Sequence, residues 1–154
     1  MKTVSNTKIF IDTNILFYAN NPSDPYGAQA IARINELADH DNEFIISTQV
    51  VREYTAVSLR TAQHNNISIQ TTVQSILNNI AAFRRDFTVI NEPDDALDNW
   101  LSLLPQITTS RDVFDFNIAA TLKSAGINHI LTHNGSDFKK FSNWLTVLPL
   151  LVTE

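Results

Sequence analysis

Four acidic residues in this chain stand where carboxylates can gather around a metal ion: Asp12, Glu53, Asp115 and Asp137. Asp12 directly follows a short apolar run, and Asp137 comes shortly after another. Carboxylates just past the ends of strands in an open α/β sheet face the crevice in which such folds bind ligands. Because anions held close together repel one another, such a cluster requires a cation between them. Oxygen ligands without cysteine favour Mg²⁺ or Mn²⁺ over zinc.

Three of these acids also have an ordinary structural interpretation. Asp12 can serve as the N-cap of a following helix. Glu53 can be a solvated helix glutamate, and Asp137 can be a turn aspartate after the Asn134-Gly135 dipeptide. Spacing alone leaves both interpretations open at each position. The occurrence of four acids at comparable positions favours a shared site, because a helix cap needs one oxygen and no partners.

Asp115 has the most informative spacing of the four. On a helix from about Arg111 to Ala125, ended by Gly126, we expect an apolar stripe made of Phe114, Ile118, Leu122 and Ala125. At about 100° per residue, Asp115 falls inside the apolar arc, between Leu122 and Ala119. A carboxylate at such a position is costly to bury unless it is paired or bound to metal.

Asp112 lies near the edge of the same stripe. It follows Thr109 by three residues, which is the spacing of a capping box at a helix start. We therefore interpret Asp112 as mainly structural, with a role in the site as the second alternative.

The remaining composition excludes several other chemistries. The chain has no cysteine, so disulfides, zinc-thiolate sites and thiol nucleophiles are absent. Its histidines form no HExxH motif and no nucleophile pattern, and its three glycines are too scattered for a P-loop or a dinucleotide fingerprint. A net charge of −5 argues mildly against binding nucleic acid through bulk electrostatics. Without a long apolar segment or a signal core, we expect a cytoplasmic protein that does not contact membranes.

Short apolar runs alternate with helical patterns along the whole chain. The predicted strands are Lys8 to Asp12, Phe44 to Ser47, Phe87 to Ile90, His129 to Thr132 and Leu145 to Leu148. Predicted helices include Pro25 to His40, Thr48 to Gln63, Asp94 to Leu104 and the helix that contains Asp115. Strands alternating with helices indicate an α/β fold with a covered parallel sheet of about five strands. A length of 154 residues fits a single domain spanning residues 1–154.

The stretch from Thr61 to Phe83 contains no lysine, arginine, aspartate or glutamate. A helical pattern runs through it, marked by Val73, Ile76, Leu77 and Ile80. The helix either packs on its own domain or forms a surface for self-association or for a partner, since interface cores are depleted in charge.

In four segments the sequence resembles the PIN-domain nucleases, and among them the VapC-type toxins of toxin-antitoxin pairs. The resembling segments are Ile9 to Leu16, Ile46 to Tyr54, Asp115 to Ala120 and Ile130 to Phe138. Each motif alone is weak, but four in the right order are fairly specific. The resemblance implies a three-layer PIN-like domain.

By this resemblance the four acids correspond to a site that binds one or two Mg²⁺ or Mn²⁺ ions. The resemblance implies that the protein uses this site to hydrolyse RNA. The residues it suggests for supporting or substrate contacts are Thr13, Asn14, Thr132 and Asn134. The RNA-contact candidates are Arg52, Arg111, Lys139 and Lys140, each of which can equally be a solvated charge. The family also implies a homodimer and a small antitoxin that covers the site, with the uncharged stretch as a candidate contact surface.

Two other interpretations compete with the nuclease. A haloacid-dehalogenase-like phosphatase needs an aspartate two positions after Asp12, where this chain has Asn14. The other alternative is a non-catalytic PIN-like scaffold that binds RNA or a partner. Loss of one or more of the acids would be its signature. Because all four acids are present, we rank the scaffold second, below the nuclease.

Overall fold

The computed structural model describes residues 3–152, in which helices flank a five-stranded sheet. The strands are β1 Lys8–Ile11, β2 Glu43–Ser47, β3 Thr88–Ile90, β4 His129–Thr132 and β5 Thr146–Pro149. The α-helices are α1 Thr13–Ala19, α2 Gly27–Ala38, α3 Thr48–His64, α4 Ile69–Asp86, α5 Ala96–Leu103 and α6 Asp112–Ala125. Two 3₁₀ helices span Leu104–Gln106 and Gly135–Phe141.

All strand pairs in the sheet are parallel, and the strand order is β3-β2-β1-β4-β5. The central strand is β1, where Phe10 is paired with Ile45 of β2 and with Ile130 of β4. The chain extends the sheet on one side through β2 and β3 and later on the other side through β4 and β5. The order therefore reverses between β1 and β4, and the crevice at their carboxyl ends is the place where open α/β sheets bind ligands.

Consecutive residues of the inner strands are buried, including Ile9 to Ile11 in β1 and Phe44 to Ile46 in β2. Successive strand residues point to opposite faces, so both faces of the sheet are covered. The predicted α/β fold with about five parallel strands is confirmed.

Helix starts follow directly on strand ends near the crevice. Strand β1 ends at Ile11 instead of the predicted Asp12, because Asp12 is the N-cap of α1. Strand β2 leads into α3 through Ser47, whose buried hydroxyl accepts a hydrogen bond from the Val50 amide at 3.2 Å. These short connections fix the side chains that follow each strand at the same edge of the sheet.

The predicted apolar stripe of α6 is wrong at both ends. Phe114 is 64% exposed and Ala125 is also exposed. The buried apolar residues of this helix are Phe116, Ile118, Ala119, Ala120 and Leu122. The middle of α6 is thus buried on most of its sides, a situation in which a projection from sequence does not identify a single face. The first turn, with Phe114, borders the crevice instead of the core.

Helix α4 contains most of the uncharged stretch, and it has one side packed on the domain and another side exposed. Ile76 and Phe83 are buried against the domain. Ile69, Val73 and Leu77 recur every four residues and remain exposed, Leu77 to 55%. The helix therefore packs on its own domain and also leaves an uncharged apolar row uncovered.

Within residues 3–152, none of the helices combines the length and the apolar character needed to cross a membrane.

Candidate metal centre

All four predicted acids line one cavity of about 700 Å³. Asp12 lies at the carboxyl end of β1, and Glu53 projects from α3. Asp115 belongs to the first turn of α6, and Asp137 to the 3₁₀ helix that follows β4. Four elements separated widely in sequence therefore bring carboxylates to one crevice.

Asp12 is both a helix cap and the most buried of these acids. Its backbone is extended and its Oδ1 accepts a hydrogen bond from the Thr13 amide at 2.8 Å. Its Oδ2 accepts from the Thr132 hydroxyl at 2.8 Å and from the Asn14 amide at 3.3 Å. Burial raises the pKa of Asp12 from 3.8 to about 6, although the bonds from Thr132 and Thr13 act in the opposite direction.

Thr132 and Asn14 connect the end of β1 to the end of β4. The Thr132 hydroxyl donates to Asp12 and accepts from the Asn14 amide at 3.2 Å and from the Asn134 backbone N–H at 3.1 Å. The Asn14 carbonyl oxygen accepts from the His133 backbone N–H at 3.2 Å. The hydroxyl of Thr132 thereby uses its donor and both of its acceptor positions. These side chains hold the Asp12 carboxylate in place.

Glu53 is held at both of its oxygens. Oε2 accepts from the Thr13 hydroxyl at 2.8 Å, and Oε1 accepts from Gln49 Nε2 at 2.7 Å. The same Gln49 nitrogen lies 3.3 Å from the Phe114 carbonyl oxygen, and Gln49 Oε1 accepts from Asn117 at 2.6 Å. Gln49 therefore ties Glu53 to helix α6. Sequence reasoning missed it, although a glutamine four residues before a helical glutamate is a recognisable pair.

Asp115 has the opposite environment to Asp12. It is partly buried, and no hydrogen-bond donor among residues 3–152 reaches its carboxylate. Burial raises its pKa from 3.8 to about 7. The negative charges of Asp137 and Asp12, and more weakly those of Glu53 and Asp112, raise it further. A nearby cation would therefore stabilise the ionised form of Asp115 more than that of the other three acids.

Asp137 is exposed and follows the Asn134-Gly135 turn, as the turn interpretation expected. Its carboxylate accepts no hydrogen bond in the described part of the chain, yet it borders the same cavity as Asp12. A turn location and a place at the cavity are therefore compatible. The exposed residue Asn134 also lines this cavity.

Asp112 does not line this cavity and takes part in a separate hydrogen-bond network. Its Oδ2 accepts from the backbone N–H groups of Thr108 at 2.9 Å and Thr109 at 3.2 Å, and from Lys140 Nζ at 3.2 Å. The bond from Thr108 is the largest of the effects that hold its pKa well below the usual range. Lys140 also donates to the Gln106 carbonyl and to the Thr108 hydroxyl. The pair fixes the loop that precedes α6.

Exposed arginines line the two cavities at the crevice, whereas the candidate cations Arg111 and Lys139 line neither. Arg52 lines a second cavity of about 430 Å³, next to the first. Arg111 and Lys139 are exposed, and like Arg52 they form no ion pair within residues 3–152. Arg60, which sequence reasoning missed, lines the acidic cavity and is likewise unpaired in the described part of the chain.

Within the described residues, no group of three or more acidic or histidine side chains is already spaced to hold a metal ion. The donor set itself, four carboxylates without thiolate or imidazole, fits a hard divalent ion such as Mg²⁺ or Mn²⁺.

The PIN domain family model matches residues 9–143, which include all four acids. The chain belongs to the PIN domain family. The family membership predicted from four short motifs is thus confirmed. A search of curated protein sequences finds no match to the chain.

Solved structures of VapC proteins share this PIN fold. VapC20 of Mycobacterium tuberculosis, described as a toxin that cleaves the sarcin-ricin loop, is 18% identical with a TM-score of 0.65, over 92% of this chain and 99% of that chain. VapBC2 of Rickettsia felis, solved on a DNA fragment from its promoter, is 18% identical with a TM-score of 0.65, over 93% and 98%. VapBC-1 of nontypeable Haemophilus influenzae is 16% identical with a TM-score of 0.59, over 94% and 98%. At these identities the likeness establishes the fold.

Proposed function

We propose that this PIN domain hydrolyses RNA phosphodiester bonds with Mg²⁺ or Mn²⁺, as the toxin of a toxin-antitoxin pair. The observation that carries the proposal is the meeting of four carboxylates from distant parts of the chain in one cavity. Two of them, Asp12 and Asp115, have raised pKa values because they are buried near other acids. An arrangement that costs folding free energy without a cation is typical of a functional site.

In this mechanism Asp12 and Asp115 would hold a divalent ion directly. Glu53 would be a further ligand or the base that orients the attacking water, and Asp137 would hold a second ion or make a contact through water. A bound divalent ion supplies an activated water and screens the charge of the phosphate and of the leaving oxygen. Titration with Mn²⁺ counts the bound ions, one or two.

The supporting side chains have distinct tasks in this proposal. Thr132 and Asn14 fix the orientation of the Asp12 carboxylate through the bonds described above. Thr13 does the same for Glu53. Asn134 lines the acidic cavity and the exposed Arg52 lines the adjacent one, and we assign both to contacts with the RNA. Asp112 stabilises the start of α6 and has no part in the chemistry.

RNA as the substrate and an antitoxin as the partner are inferred from the nature of the neighbours. One neighbour is described as a toxin that cleaves the sarcin-ricin loop, and others are VapBC assemblies. We extend this to a cytoplasmic nuclease that forms a homodimer and is inhibited by a small antitoxin. The uncovered apolar row of α4, with Val73 and Leu77, is the surface we assign to protein contact. Replacement of both residues by serine is expected to abolish binding of the antitoxin or dimer formation, while RNA cleavage by the monomer persists.

The decisive experiment is cleavage of a mixed structured RNA pool by purified protein with Mg²⁺, Mn²⁺ or EDTA. Variants Asp12→Asn and Asp115→Asn are compared with Asp98→Asn, which replaces an exposed aspartate on α5. We expect metal-dependent cleavage that falls at least about 100-fold in the first two variants and is unchanged in the third.

The same experiment separates the nuclease from the non-catalytic scaffold. A folded protein that binds RNA but cuts none of the pool with either metal contradicts the nuclease. Cutting that persists in EDTA or in Asp12→Asn points to a contaminating enzyme and removes support for the proposed site.

A further inference from the structure

Phe114 is exposed at an unusual place. It lies in the first turn of α6, one residue before Asp115, and 64% of its surface is accessible. A single exposed apolar side chain is ordinary on a protein surface. Phe114, however, borders both the acidic cavity of about 700 Å³ and the adjacent cavity of about 430 Å³. Phe114 therefore forms part of the boundary between the two cavities.

The second cavity brings amide and guanidinium groups next to Phe114. Arg52, Gln49 and Asn117 line it, and it shares Glu53 and Phe114 with the acidic cavity. Gln49 is occupied by protein contacts at both ends of its amide. Asn117 donates one bond to Gln49, which leaves its carbonyl oxygen without a partner in the described part of the chain. The Arg52 guanidinium has no ion-pair partner there either. Hydrogen-bonding groups thus remain available beside an apolar ring.

Cations lie on both sides of this boundary along helix α3. Arg60 borders the acidic cavity and Arg52 borders the second one. Eight residues separate them, which is about 12 Å along the helix axis. Two arginines without ion-pair partners in the described part of the chain, one at each cavity, favour a polyanion over an apolar protein segment.

We propose that Phe114 is a stacking platform for one base of a single-stranded RNA, with the polar edge of that base presented to Asn117 and Arg52. The proposal rests on RNA being the ligand of this site. A stacked base satisfies both kinds of surface, since its face packs on the ring and its edge bonds to the amide and guanidinium. A leucine or valine from a protein partner would leave those polar groups desolvated without partners.

The test measures binding in the Asp12→Asn background, in which the proposed function predicts no cutting. Affinities are measured for an adenosine dodecamer and for a dodecamer of abasic ribose phosphates. We expect Phe114→Ala to weaken binding of the adenosine dodecamer about 10-fold or more. It should leave binding of the abasic dodecamer within about 2-fold, because the ring contacts the base and not the backbone. Phe114→Trp should retain the affinity.

Leu97→Ala is the matched control, because Leu97 on α5 is 63% exposed and borders neither cavity. Its affinity for both dodecamers should be unchanged. Mn²⁺ affinity, measured with Asp12 intact, should be equal in Phe114→Ala and the wild type.

The platform would be overturned if Phe114→Ala left the affinity of the Asp12→Asn protein for the adenosine dodecamer unchanged. It would also be overturned if Phe114→Ala lowered the affinity for both dodecamers by the same factor. Absence of any binding to the adenosine dodecamer would also overturn it and would reassign the ring to a protein contact. Failure of the proposed nuclease is seen separately, as absence of cleavage by the wild type. In that case a Phe114-dependent loss of binding still supports the platform, on a protein that holds RNA without cutting it.

Discussion

Asp115 is a helix carboxylate without a hydrogen-bond donor in residues 3–152, at the edge of a group of acids. Its folded-state pKa of about 7 lies above the ordinary value of 3.8, which we take for the unfolded chain. Ionisation therefore costs more free energy in the folded protein than in the unfolded one. The contribution of this group to stability is most favourable below pH 3.8 and declines as the pH rises to about 7.

The corresponding prediction concerns Asp115→Asn in the metal-free protein. The variant should be more stable than the wild type at pH 7.5 by about 1 kcal/mol, a value reduced for the partial exposure of the side chain. The difference should shrink toward zero at pH 4.5. Urea denaturation in EDTA at the two pH values measures it. Comparison with the wild type cancels His129, whose pKa is lowered by burial and which acts in the opposite direction.

Gln49 gives a second prediction at this scale. Gln49→Ala removes the bond that holds Glu53 Oε1 and the link to the Phe114 carbonyl. We expect Mn²⁺ affinity to fall several-fold, about 1 kcal/mol, because Glu53 becomes free to adopt other rotamers. Isothermal titration against Gln63→Ala, an exposed glutamine of the same helix, measures this. An equal affinity in the two variants would contradict a positioning role.

Residue types and order predicted that the four acids lie together, and in the structure all four line one cavity; their role as metal ligands stays a prediction. The contact of Gln49 with Glu53 and the position of Arg60 at the cavity were not predicted from the sequence, because they depend on which face of α3 borders the crevice. The exposure of Phe114 was not predicted from the sequence either, because a helical-wheel projection of α6 does not distinguish the exposed first turn from the buried middle of the helix.

At the scale of elements, α6 ends in a left-handed residue. Gly126 has φ +70°, and a Cβ added there would meet nothing within 4 Å. Gly126→Ala should therefore lower the free energy of unfolding by about 1 kcal/mol through backbone strain alone. Gly126→Asn should cost less, because asparagine tolerates this conformation. Chemical denaturation of the three proteins tests the order, and equal losses for alanine and asparagine would contradict it.

Strand and helix identities were predictable because the inner strands are continuous buried apolar runs and because most helices show apolar residues at helical spacing. Element ends were less so. Strand β5 runs from Thr146 to Pro149, not from Leu145 to Leu148, since its pairing register with β4 sets its limits. Phe87 was predicted to begin a strand, but it is the C-cap of α4, and β3 begins at Thr88.

For the whole molecule, the acidic crevice should link metal binding to stability. Mn²⁺ at 100 times its dissociation constant should stabilise the fold by about 2.7 kcal/mol, because it binds the folded state alone. The increase should be largest near pH 7.5 and small at pH 5, where Asp12 and Asp115 are largely protonated. Thermal unfolding with and without Mn²⁺ measures this. A similar increase in Asp12→Asn would place the ion elsewhere.

The strand order has a consequence for how the protein is made. Strand β1 is synthesised first but is completed on one side only when β4 pairs with it, Phe10 against Ile130. The hydrogen bond from Thr132 to Asp12 and the cavity shared with Asp137 therefore form late, because these two residues leave the ribosome after most of the chain. Pairing between such distant segments is slow and late in folding. A nascent chain in which β4 has not yet emerged therefore carries Asp12 and Glu53 without Asp137 beside them, so the acidic cavity forms only after Thr132 and Asp137 have left the ribosome.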